Sequence, residues 1–95
     1  NIDQLRAKID IIDENILYAL GSRMKISRKI GEFKRDSNIA ILQTSRWDAV
    51  LAKVIEKGAE YGLTEDFIKA VFNAIHEASV EIQNEVISGK TSVRK

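Results

Sequence analysis

Apolar residues return along the first third of the chain at alternating intervals of three and four: Ile2, Leu5, Ile9, Ile12, Ile16, Ala19, then Ile26, Ile30 and Phe33. This spacing predicts one long amphipathic helix from about residue 2 to residue 35, and no proline interrupts it. Arg23 alone places a guanidinium on that seam. At about 1.5 Å per residue the helix is roughly 50 Å long, whereas a compact domain of this size has a radius of gyration of about 12 Å. The rest of the chain covers only part of so long a seam, so the pattern asks for a further facing surface, most simply a second copy of the chain.

The stretch DSNIAILQTS breaks the period and predicts a loop over 36–44. Ser45 followed three residues later by Asp48 resembles a capping box, which starts a second helix over about 45–61. Its apolar face is Trp47, Val50, Leu51, Val54 and Ile55. Gly62 then stops the helix, and Thr64 with Glu65 and Asp66 opens a third over about 65–88. Ile68, Val71, Phe72, Ile75, Ser79, Ile82 and Val86 share its inner face. The tail over 89–95 has no periodicity and reads as frayed. The expectation is an all-α domain of three helices, the first much longer than the others.

Composition narrows the function. Hydrophobic residues at 44% and charged residues at 31% belong to an ordinary globular chain. Fifteen basic against fourteen acidic residues, mixed along the sequence, leave no broad basic field for nucleic acid. No apolar run approaches a membrane span of about 20 residues, and no signal-peptide pattern opens the chain. Without cysteine there is no disulfide framework or thiolate metal site, and the single His76 builds no histidine cluster. The chain is therefore expected to be cytoplasmic, without metal or cofactor, and its start at Asn1 suggests a piece of something longer.

Several polar residues stand where apolar ones belong. Lys34 lies eleven residues beyond Arg23, about 20° round the same helix face. Ser79 and Gln83, four apart, both point inward from the third helix. Taken singly each has an ordinary explanation: Arg23 sets register or snorkels, Ser79 bonds back to its own helix, Lys34 faces a helix C-terminus. Singly, His76 reads as a packed or half-exposed helix residue and Trp47 as core. Unsatisfied, such groups would cost roughly 1 to 3 kcal/mol each. Together they outline a donor-rich pocket without a nucleophile paired to a base, suited to a small polyanion.

The segments LRAKIDIIDENILYALGSRMKISRKIGEFK, SRWDAVLAKV and EASVEIQ resemble the all-helical class of chorismate mutases, over about residues 2–88. That resemblance implies an intertwined homodimer with two equivalent sites and the Claisen rearrangement of chorismate to prephenate. It implies that Arg23, Lys34, Arg46, Ser79 and Gln83 come from one protomer and Arg6 from the other. Arg6 and Lys34 are about 42 Å apart on one helix, so both reach one small ligand only across a two-fold interface. By the same likeness Arg6 and Arg23 clamp the carboxylates with help from Ser79, while Lys34 and Gln83 face the ether oxygen. Arg46 orients from the edge, and Ile30, His76 and Val80 form wall.

Two positions depart from the family pattern. Trp47 stands where several members carry a glutamate that binds the ring hydroxyl, and Gln43 where an aspartate is common. The hydroxyl contact then falls to Lys34 or to backbone near Gln43, or binding is weaker. Rival expectations are an isochorismate pyruvate lyase on the same fold, against which Ser79 argues, and a non-catalytic dimerisation or effector-sensing module. The family's habit of fusion adds prephenate dehydratase, prephenate dehydrogenase or an aldolase-like synthase as candidate companions.

Overall fold

Three helices build the fold in the computed structural model, which describes residues 1–89: α1 (Ile2–Ser37), α2 (Thr44–Glu60) and α3 (Glu65–Ser88). A reciprocal box starts α1: the Asn1 side chain accepts from the Gln4 backbone N–H, and the Gln4 side chain accepts from the Asn1 amino group, both at 3.0 Å. The helix runs two residues past the expected end. Asn38 closes it in the left-handed region at φ 58°, a conformation that asparagine tolerates better than most residues.

The start of α2 differs from the sequence expectation. The helix begins at Thr44 behind an extended Gln43, which makes no side-chain cap bond. The Gln43 amide donates instead to the Ala40 carbonyl at 3.3 Å, so the loop takes the side chain and Ser45 already lies within the first turn. Gly62 turns the chain at φ 79° between α2 and α3, where a Cβ would be strained. At the head of α3 the Thr64 hydroxyl accepts from the Phe67 N–H at 3.2 Å. Gly89, near which α3 is expected to end, is its left-handed cap; the tail beyond it, 90–95, lies outside the described residues.

Both α1 and α2 pack on α3 and not on each other. Where α1 crosses α3 the contact is made by small residues. A Cβ on Gly31 would stand 3.1 Å from the Gln83 Cα and 3.3 Å from the Val86 Cβ, so glycine lets the two backbones approach. Gly58 of α2 makes room for the Ile68 side chain, whose Cγ1 would stand 2.8 Å from a Cβ there. Ile68 and Val86 are the buried large apolar residues among those described, each still 4% exposed. So thin a core leaves a flat molecule, 53 × 35 × 15 Å, with a radius of gyration of 16.4 Å.

The apolar seam of α1 faces outward. All residues from Asn1 to Ala19 are exposed, including Ile9 at 55% and Ile12 at 52%. Ile26, Ile30 and Phe33 continue that exposed line, while Ser27 and Gly31, just beside it, are the residues turned to α3. No described helix is long and apolar enough to cross a membrane.

Candidate active site

Because α1 and α2 share α3 as a floor without touching, a cleft opens between them, with a volume of about 390 Å³. Arg23, Ile26, Ser27, Ile30 and Lys34 of α1 form one wall. Arg46, Trp47 and Val50 of α2 form the other, with Ile41 and Gln43 from the intervening loop. His76, Ser79, Val80 and Gln83 of α3 line the floor. Three of these side chains are cationic, and none is a carboxylate. Among the described residues no acid lies within ion-pair distance of Arg23, Lys34 or Arg46. Their charge is left facing the cleft.

A hydrogen-bonded chain runs along the α1–α3 boundary. The Lys34 ammonium donates to the Ile41 carbonyl at 2.9 Å and to Gln83 Oε1 at 3.0 Å. Gln83 Nε2 donates to Ser79 Oγ at 3.3 Å, and Ser79 Oγ lies 2.6 Å from Ser27 Oγ. Ser27, Ser79 and Gln83 are all buried. An ammonium has three donors and a carboxamide nitrogen two, so Lys34 and Gln83 each keep one for a ligand. Burial lowers the pKa of Lys34 below its ordinary value by desolvating the charged form.

The structure therefore gathers Arg23, Lys34, Gln43, Arg46, Trp47, Ser79 and Gln83 around one cavity, with Ile30, His76 and Val80 in its wall. Arg6 is not among them. It sits on the exposed N-terminal part of α1, about 42 Å along the helix from Lys34. The inward polar groups also satisfy one another: among the described residues no buried side-chain nitrogen or oxygen lacks a hydrogen bond. Trp47, which singly reads as core, and His76, which singly reads as a packed or half-exposed helix residue, stack where the α2 wall meets the α3 floor, with ring centroids 4.0 Å apart and planes 12° from parallel. Ser27 and the Ile41 carbonyl escaped the sequence reading. Arg23, Ser27, Gly31 and Lys34 fall within an arc of about 80° on α1, so helical spacing from Arg23 could have found Ser27.

Comparison with known proteins gives this geometry a family. The family model for chorismate mutase type II matches residues 5–84, which span all three helices and every lining residue. The chain belongs to the type II chorismate mutase family. It is similar to a 4-amino-4-deoxychorismate mutase of Streptomyces pristinaespiralis, 29% identical over 92% of this chain and 67% of that protein. It is also similar to the bifunctional chorismate mutase/prephenate dehydratase of Aquifex aeolicus, 34% identical over 99% of this chain but 24% of that protein. The corresponding bifunctional protein of Buchnera aphidicola from Acyrthosiphon pisum is 33% identical over 86% of this chain and 21% of its own length. The chain thus spans less than a quarter of these two bifunctional relatives. The family is one of isomerases, and the all-helical fold agrees with that membership.

Proposed function

We propose that this chain forms a cytoplasmic homodimeric enzyme that converts chorismate to prephenate. The reaction is unimolecular: one ether C–O bond breaks as one C–C bond forms, and negative charge gathers on the ether oxygen between. It calls for no nucleophile or proton transfer. It calls for a dicarboxylate held in a chair-like conformation, with donors where the charge develops. One observation carries the reading: among the described residues, Arg23, Lys34 and Arg46 converge without acidic partners on a cleft where Lys34 and Gln83 keep unused donors.

In this assignment Arg23, Ser79 and the partner subunit's Arg6 hold the two carboxylates, and Arg46 orients the guest from the mouth of the cleft. The spare donors of Lys34 and Gln83 meet the ether oxygen, where losing one such donor typically costs about 3 to 4 kcal/mol. The exposed seam over residues 2–19 supports an antiparallel partner, since pairing along α1 covers those isoleucines and carries a second Arg6 to the cleft.

A second substrate comes from the name of the Streptomyces relative, 4-amino-4-deoxychorismate. Its ring amine is cationic near neutral pH and would meet three cations and no carboxylate among the lining residues of this chain, which favours the hydroxyl-bearing chorismate. Incubating the purified chain separately with chorismate, 4-amino-4-deoxychorismate and isochorismate tests the assignment. Prephenate from the first, with little turnover of the second and no pyruvate from the third, is the expected result. Binding without turnover of any would leave an effector-sensing module.

A further inference from the structure

Ser27 contributes a hydroxyl to the α1–α3 boundary that the proposed reaction does not itself require. It is 3% exposed, and its bond is to Ser79 at 2.6 Å rather than back to its own helix. Counting protons along the chain of bonds shows what it does. A serine hydroxyl has one proton and two acceptor sites. Ser79 already accepts from Gln83 Nε2. If Ser79 also gives its proton to Ser27, it turns only a lone pair to the cleft and repels an anion there. If Ser27 donates instead, both acceptor sites of Ser79 are filled and its proton is released to the cleft. Each of Lys34, Gln83 and Ser79 then holds one unused donor.

Resting on the function proposed above, we infer that Ser27 is a positioning residue: it donates to Ser79, and so fixes Ser79 as a hydrogen-bond donor toward a substrate carboxylate. A carboxylate in the cleft selects this polarity, because only then does it find a proton at Ser79. Ser27 acts entirely through Ser79, and this separates it from a residue that touches substrate directly or merely packs.

A double-mutant cycle of Ser27→Ala and Ser79→Ala decides the matter. Ser27→Ala removes one oxygen and substitutes the best helix former, so helicity by circular dichroism should be retained. The expected result is KM for chorismate raised about threefold, because Ser79 keeps its proton but loses the donor that fixes its direction, with kcat changed less than about twofold. The double variant should be no worse than Ser79→Ala alone. Additive effects would assign Ser27 a contact of its own, and an unchanged KM would remove its role; either overturns the inference. Trp47, the single tryptophan, lines the cleft, so its fluorescence reports chorismate binding independently of turnover. If the unsubstituted chain makes no prephenate, the proposed function fails, and the same cycle read on chorismate binding still tests Ser27.

Discussion

Lys34 and Gln83 meet across the α1–α3 boundary with Nζ 3.0 Å from Oε1, and this bond decides which way round the amide lies. With its oxygen held by the ammonium, Gln83 turns its nitrogen to Ser79 and the cleft. A terminal amide is otherwise free to present either end. Here the cation makes it a donor, and two donors face one place in a site where negative charge would gather.

Gln83→Glu tests that polarity. The introduced carboxylate, beside Lys34, stays ionised at neutral pH and places an anion against the developing oxyanion. Chorismate turnover should fall at least ~100-fold near pH 7.5 and rise again as the carboxyl group is protonated in mild acid. Gln83→Ala should fall comparably at neutral pH and show no recovery in acid. Unsubstituted activity in both variants at pH 7.5 would take Gln83 out of the reaction, and a Gln83→Glu variant that stays inactive in acid would overturn its role as a donor.

Burial of Lys34 predicts where activity ends on the alkaline side. Its pKa is lowered from the ordinary 10.5, so kcat/KM should decline at lower pH than an unperturbed lysine would allow. Lys34→Arg, if active, should move that limb upward because guanidinium does not titrate in the range. Stability has the opposite slope. Between the lowered value and 10.5 the unfolded chain holds the proton and the folded chain has released it, so folding is favoured as pH rises through that window. Below it the partly desolvated charge is a standing cost.

The periodic parts of the molecule were legible because apolar spacing and end signals agree there. Thr64, Gly62 and the inner face of α3 fall where pattern predicts, with Ile68, Ser79 and Val86 buried. Ser79 and Gln83 were also legible, as polar residues on that face. Gly31 was not, and Ser27 was marked only by its helical spacing from Arg23. The eye follows the isoleucines of α1, yet these are exposed in the single chain, and α3 is met by two small residues beside them. Small residues carry almost no hydropathy signal; what marks them is close backbone approach, a tertiary fact. The start of α2 was misplaced for a related reason, since Gln43 bonds to its own loop and leaves the helix without a side-chain cap.

That close approach yields a prediction of its own. At Gly31 a Cβ already stands 3.1 Å from backbone, so the larger Gly31→Val must push α1 away from α3 and lengthen the Lys34–Gln83 bond. A loss of about 2 kcal/mol in stability is expected from overpacking, with turnover falling further than unfolding explains. Chemical denaturation beside kinetics at a temperature where the variant remains folded separates the two effects. Gly21, with open space around its Cβ position, should accept alanine with unchanged or improved stability.

The exposed line of α1 predicts dependence on a second copy. Ile12→Asp adds a charge to the seam while leaving the cleft untouched, since residue 12 lies far from every lining residue of its own chain. Sedimentation should show a monomer or much weakened dimer, and activity should become dependent on protein concentration. An active monomer at all concentrations would end the shared-site reading.

Sharing of the site across the interface is tested most directly by complementation. Arg6→Ala and Arg23→Ala should each abolish turnover while leaving the helical fold intact, since neither guanidinium has an intramolecular ion-pair partner among the described residues. Suppose one site takes Arg23 from its own chain and Arg6 from the partner. A mixed dimer then contains one site with both arginines intact and one with both lost. Refolding the two inactive variants together in equal amounts makes about half of the dimers mixed, and each regains one of its two sites, so about a quarter of the unsubstituted activity should return. If both arginines serve the same protomer's site, every site in every dimer carries one defect and nothing returns. Helix length already points to the first outcome: about 42 Å separates Arg6 from Lys34 along one rod, far beyond the reach of a single small ligand.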